Sequence, residues 1–152
     1  MNQTLTTHSA EETRNFGKKL ASEIAPGTLL CLTGDLGAGK TTLVQGLLEG
    51  LGAARPFVSP TFVIMKQYDL GTPSETGIRR IYHADAYRVE EKDFREIGFA
   101  EWCADKEGVV ILEWPERISS LLPEKRIDIM LTSLSENERE IILTAPSDDA
   151  KT

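Results

Sequence analysis

Gly34-Asp35-Leu36-Gly37-Ala38-Gly39-Lys40-Thr41 has the spacing of a phosphate-binding loop. It follows the apolar run Thr28-Leu29-Leu30-Cys31-Leu32-Thr33 and precedes Thr42-Leu43-Val44-Gln45, which opens a helical pattern. Strand, loop and helix in that order are the context the motif requires. Gly34, Gly37 and Gly39 let successive backbone amides turn inward around an anion, where a side chain would clash or forbid the dihedrals. The helix that follows aims its dipole and unpaired amides at the same point. Lys40 adds a positive charge for the terminal phosphates, and Thr41 a hydroxyl for magnesium. These residues predict that the chain binds a nucleoside triphosphate.

Around this loop the pattern is that of an α/β domain. Ser9 and Glu12 form a capping box, so Ser9 should accept from the Glu12 amide while the Glu12 carboxylate returns a bond. Phe16, Leu20 and Ile24, with Gly17 and Ala21 on the same face, predict a helix over 10–25 that Pro26-Gly27 ends. Leu43, Val44, Leu47, Leu48 and Leu51 line one face of a second helix that stops at Gly50 or Gly52. Residues 62–68 and 80–84 read as a hairpin joined by the turn-rich Gly71-Thr72-Pro73-Ser74. A helical stretch over 91–105 carries Phe94, Ile97, Phe99 and Trp102, and Val109-Val110-Ile111-Leu112 reads as a fully buried strand ending at Glu113. Residues 127–131 and 139–144 suggest two paired strands, followed from Ser147 by a polar, disordered tail. The expectation is one P-loop NTPase-like domain over residues 1–146, a mixed β-sheet flanked by helices, and a tail over 147–152.

Composition narrows the use of the nucleotide. A chain of 152 residues buries a core unaided. Cys31 sits inside the apolar strand and Cys103 beside Trp102, where small buried thiols are the expected role. No basic region followed by an apolar stretch opens the chain, and no window reaches membrane-spanning length, so a reducing cytoplasmic location is expected. The net charge of -7, with Lys18-Lys19 and Arg79-Arg80 as isolated pairs, argues against the chain gripping a nucleic-acid backbone by itself. Any RNA should be held by a partner.

A buried strand ending in an acid is how phosphate-loop proteins present a second magnesium contact, because the carboxylate emerges at the carboxyl edge of the sheet beside the loop. Glu113 fits that place. Trp114, next in the chain, would either cover the nucleotide or cap the core. His83-Ala84-Asp85-Ala86-Tyr87-Arg88 is the other dense constellation, and an extended strand would put His83, Asp85 and Tyr87 on one face. A metal site and a structural network that pins the hairpin are two accounts of it. In the third, Asp85 approaches the γ-phosphate through water or magnesium, oriented by His83 and Arg88, and positions the attacking water.

Taken with Ser59-Pro60-Thr61-Phe62 and Glu113-Trp114-Pro115-Glu116, these motifs closely resemble the bacterial TsaE family, formerly YjeE, over residues 9–145 and in the same order. The resemblance implies an ATPase of tRNA threonylcarbamoyladenosine synthesis that works with the TsaB and TsaD proteins and meets tRNA only indirectly. It further implies that Asp35, Leu36, Gly37, Ala38, Gly39, Lys40, Thr41 and Thr42 cradle ATP, that Thr41 and Glu113 ligate Mg2+, and that Asp85 sits near the γ-phosphate. Lys40, Asp85 and Glu113 would then be the catalytic residues. Ser59, Pro60 and Thr61 resemble the family's switch loop, with His83, Tyr87, Arg88 and Trp114 in support. Arg139 falls where an arginine can reach the nucleotide, and Thr7, Ser9 and Ala10 are expected near the base.

Hydrolysis by the chain alone should be slow, because a fast phosphate-loop hydrolase needs an arginine finger and neither Arg88 nor Arg55 has an obvious position for it. A small-molecule kinase would need an acceptor pocket and an Arg-rich lid, for which the chain has little spare length. A GTPase would need a guanine-reading Asn-Lys-x-Asp, which the sequence lacks.

Overall fold

The computed structural model describes residues 2–35, 37–61 and 63–146. Leu36, Phe62 and the tail from Ser147 lie outside the described residues, and with them the expectations made for those positions.

Among the described residues seven strands form one sheet: β1 (Asn2–Thr7), β2 (Thr28–Thr33), β3 (Met65–Asp69), β4 (Arg80–Asp85), β5 (Gly108–Glu113), β6 (Ile127–Ser133) and β7 (Arg139–Thr144), in the order β1-β7-β6-β2-β5-β4-β3. The central four, β6-β2-β5-β4, are parallel, and antiparallel pairs close both edges. Parallel strands covered on two faces read as continuous apolar runs, which is why β2 and β5 stand out in the sequence. Leu30, Leu32, Val109 and Ile111 point to the core under helices α1 (Ala10–Ala21) and α2 (Lys40–Leu51). Leu29, Cys31, Val110 and Leu112 alternate to the opposite face, under Phe94 of α3 (Glu91–Glu96) and Phe99 and Trp102 of α4 (Phe99–Ala104). Burial there raises the Cys31 thiol to about 12 and Cys103 to about 11, which leaves both protonated and unreactive near neutral pH.

The two helices on the first face cross closely because glycines stand at the contact. A Cβ on Gly17 would lie 2.5 Å from the Leu43 carbonyl oxygen, and one on Gly46 2.1 Å from that of Arg14. This crossing fixes α2, and therefore the loop that leads into it, against the sheet.

Several expected boundaries shift. Helix α1 ends at Ala21 rather than near residue 25, because Ser22 caps it by returning its hydroxyl to the Lys19 carbonyl at 2.7 Å. Glu12 accepts from the amide of His8 at 3.1 Å, one residue before the Ser9 cap, while Ser9 accepts from the Glu12 amide as expected. The single helix expected over 91–105 is two, broken at Gly98 with φ +113. Strand β3 begins at Met65 rather than at residue 62, since Ile64 has φ 69 and turns back to bond the Pro60 carbonyl. The edge strand β1 and a 3-10 segment, Pro115–Leu121, had no counterpart in the sequence reading. The hairpin of β3 with β4 and the pairing of β6 with β7 match expectation.

Candidate active site

Strand β2 delivers the phosphate loop at the carboxyl edge of the sheet. Gly34, Gly37 and Gly39 all have positive φ, at 149, 82 and 100°. At Gly34 a Cβ would also lie 2.6 Å from the Leu131 carbonyl oxygen, so backbone approach as well as dihedral demands glycine. Lys40 opens α2, is buried, and donates to the Gly34 carbonyl at 2.6 Å.

Strands β4 and β5 end beside this loop, with Asp85 opposite Glu113 in register. Glu113 Oε2 lies 2.7 Å from His83 Nε2, with the two side chains 12% and 5% exposed. Asp85 accepts from the Tyr87 amide at 2.8 Å and from the Thr61 hydroxyl at 3.5 Å. Burial pushes the Asp85 carboxyl above the ordinary carboxylate range; the Tyr87 amide opposes that shift, the Glu113 charge adds to it, and His83 and Lys40 oppose it.

Two expectations are corrected here. The hydrogen bond of His83 goes to Glu113 and not to Asp85. Tyr87 does not continue a common face with His83 and Asp85, because β4 ends at Asp85 and the chain turns there. The Tyr87 ring instead lies 4.8 Å from that of Trp114. Trp114 has φ 60, a left-handed backbone rare for an aromatic residue, which swings its ring over Lys40 Nζ at 3.9 Å. The ring belongs to the site and not to either core.

A cleft of about 440 Å3 runs along this edge. Gly37, Gly39, Lys40, Thr41 and Thr42 form one side, and Thr61, Asp85, Glu113 and Trp114 the other. Tyr87 and Arg88 line the same cleft. Arg55 is instead paired with Glu49 at 2.8 Å. Ala10 and Arg139 line the far end, where Arg139 donates to the Gly37 carbonyl at 3.2 Å. Asp35, Ala38, Ser59, Pro60 and His83 do not line the cleft, and Asp35 and Ser59 are exposed. Ser9 is committed to its helix cap, and Thr7 is buried against Thr13, 2.6 Å between hydroxyl oxygens.

Thr13, Glu136 and Asn137 also line the far end and were missed. Thr13 follows Ala10 by three positions on one helix, a spacing that would have found it. Glu136 and Asn137 lie in the turn between β6 and β7, which carries no local signal for a site.

A family model for the threonylcarbamoyl adenosine biosynthesis protein TsaE matches residues 7–141, a span that contains both strand-end acids and the whole phosphate loop. The chain belongs to the TsaE family. The TsaE protein of Bacillus subtilis strain 168 is 40% identical over 139 residues, covering 91% of this chain and 83% of that one. The TsaE protein of Treponema pallidum strain Nichols is 38% identical over 136 residues, covering 89% and 95%. The crystal structure of Bacillus subtilis YdiB superposes with a TM-score of 0.79 at 34% identity, over 99% of this chain and 90% of that one. This TsaE chain therefore has the P-loop α/β fold and a role in tRNA threonylcarbamoyladenosine biosynthesis. Among its described residues no helix is long and apolar enough to cross a membrane.

Proposed function

We propose that this TsaE chain is a Mg2+-dependent ATPase that acts with the TsaB and TsaD proteins in threonylcarbamoylation of the adenosine beside the anticodon, in tRNAs reading codons that begin with A. The observation that carries this reading is the convergence of Lys40, Thr41, Asp85 and Glu113 on one cleft lined by the phosphate loop. Residues 37–42 cradle the phosphates with backbone amides at the start of α2. A hydroxyl from Thr41 and a carboxylate from Glu113 are hard oxygen donors that suit Mg2+, an ion that keeps waters and takes few protein ligands. When bound, it neutralises charge developing on the transferred phosphoryl group. Asp85, opposite Glu113 in register, is placed to orient a water toward the γ-phosphate, and its raised affinity for protons makes it a better proton acceptor than an ordinary carboxylate.

Turnover by the chain alone is slow, and the partners raise it by ordering residues 57–61 and Arg88 around the phosphate. The acidic chain, at -7, contacts tRNA only through these partners, and the cytoplasm is where that assembly works. Equilibrium dialysis with ATP, ADP and GTP, with and without Mg2+, tests the binding half of the proposal. Mg2+-dependent ATP binding that GTP fails to displace supports it, and equal binding of GTP sinks the adenine assignment. Product analysis separates hydrolysis, which yields free phosphate, from a kinase activity that yields a phosphorylated acceptor.

A further inference from the structure

His83 is 4% exposed and its two ring nitrogens have different surroundings. Nε2 meets Glu113 Oε2 at 2.7 Å, whereas Nδ1 is buried with no hydrogen-bond partner among the described residues. A proton on Nε2 satisfies the carboxylate and leaves Nδ1 a bare acceptor, a group that burial penalises unless a donor reaches it. His83 and Glu113 also line another, smaller cavity of about 110 Å3, which shares Thr41 and Glu113 with the cleft. Its opposite wall is the loop of Phe57, Val58, Ser59 and Pro60.

Most of that wall is apolar, and Ser59 brings the loop's hydroxyl. Ser59 Oγ lies 2.9 Å from Thr61 Oγ1, and the Thr61 hydroxyl in turn donates to Asp85. With its proton given to Asp85, Thr61 can only accept from Ser59. The Ser59 hydroxyl therefore has an acceptor in Thr61, which leads to Asp85, and shares a cavity with His83, whose Nδ1 lacks a donor and whose Nε2 leads to Glu113.

We propose that His83 is a positioning residue that couples the 57–61 loop to Glu113, with Nε2 holding the carboxylate and Nδ1 receiving the Ser59 hydroxyl when Thr61 no longer accepts it. Its purpose in the ATPase cycle rests on the function proposed above, but the coupling itself is a property of these four side chains. A group in the cleft that engages Thr61 releases the Ser59 hydroxyl to His83, and the loop is then tied to Glu113. Two strand-end acids are in this way made to respond to one serine.

Nitrogen-15 spectra of the full chain test the coupling without nucleotide, since only His8 and His83 contribute imidazole signals. In the wild type the His83 proton is expected on Nε2, with Nδ1 resonating as a bare acceptor. Thr61→Val removes the competing acceptor and should move Nδ1 to a hydrogen-bonded position; adding Ser59→Ala should restore it. A proton on Nδ1 in the wild type, an unmoved signal in Thr61→Val, or a shift that survives Ser59→Ala would overturn the proposal. A second measurement reads the hold on Glu113 through the Mg2+ concentration that half-saturates binding of a fluorescent ATP analogue. His83→Gln, whose amide reaches the position of Nε2, should stay within about twofold of wild type, while His83→Asn should raise the requirement about tenfold. Equal loss in both variants would make His83 merely structural. If the wild type bound no nucleotide at all, the proposed function would fail while the spectra still decided the coupling.

Discussion

Lys40 Nζ sits 3.9 Å from the centroid of the Trp114 ring while donating to the Gly34 carbonyl at 2.6 Å. The cation that is to meet the terminal phosphates therefore lies between its own loop and the indole that closes the cleft. A phosphate competing for Lys40 must alter the surroundings of that ring.

Tryptophan emission should accordingly report nucleotide binding. The chain has two tryptophans, and Trp102 is 8% exposed within the second core, so the response should come from Trp114. Titration with ATP should change emission in the wild type and leave Trp114→Phe silent. Lys40→Ala should weaken ATP binding by about tenfold or more, the loss of a charge-assisted contact worth roughly 1.5–3 kcal/mol. An ATP response that persisted in Trp114→Phe would place the nucleotide elsewhere.

Gly46 gives a stability prediction with opposing terms. Alanine is favoured over glycine in a helix interior by about 1 kcal/mol. The added Cβ would, however, stand 2.1 Å from the Arg14 carbonyl oxygen, a backbone atom that cannot turn aside. Forcing α1 from α2 should cost roughly 1–3 kcal/mol, so the clash wins and Gly46→Ala should lower the urea midpoint. A raised midpoint would mean that the helices are not packed this closely.

At the opposite end of the sheet Asp105 accepts two bonds from Arg80, at 2.5 and 2.9 Å, one from the Tyr82 hydroxyl at 2.7 Å and one from the Glu107 amide at 3.0 Å. The Arg80 guanidinium first, then the Tyr82 and Glu107 bonds, hold the carboxyl well below the usual carboxylate range against the opposing effect of burial. A carboxyl depressed in the folded state stabilises the fold fully above its unfolded value of about 4 and loses that contribution as pH falls through its folded value. Thermal unfolding between pH 7 and pH 2 should show Tm dropping below about pH 4, with Asp105→Asn flattening that drop and costing roughly 1–3 kcal/mol at neutral pH. Identical acid profiles for the two proteins would remove Asp105 from the account.

The parts of the fold that were plain in the sequence are those where burial leaves one choice. Strands β2 and β5 are apolar on both faces, and the phosphate loop tolerates only glycine at its tight positions, so Glu113 at the end of β5 could be placed from pattern alone. Strand β1 could not, because Asn2-Gln3-Thr4-Leu5-Thr6-Thr7 has a single large apolar side chain and gains its place by pairing with β7 more than a hundred positions away. Ile64 and Trp114 adopt left-handed backbone that propensity argues against, and both adjoin the site. That conformation delays the start of β3 and aims Trp114 at Lys40. The partner of His83 was also hidden, since strand alternation brings His83 near both acids and only the pairing of β4 with β5 puts its ring on Glu113.

The acids make separable contributions to the proposed chemistry. Glu113→Gln removes a magnesium ligand's charge and should raise the Mg2+ requirement about tenfold or more. Asp85→Asn leaves Mg2+-dependent ATP binding nearly intact and should lower turnover about 100-fold. Steady-state kinetics over a Mg2+ series checks both, and a matched Mg2+ shift in the two variants would assign both acids to the metal.

ATP hydrolysis by the purified chain, alone and with TsaB and TsaD, in the wild type and in Lys40→Ala, Asp85→Ala and Glu113→Ala, tests the central claim most directly. Slow turnover that rises with the partners and collapses in all three variants is the expected result. Turnover indifferent to the partners and untouched by Asp85→Ala or Glu113→Ala would contradict it.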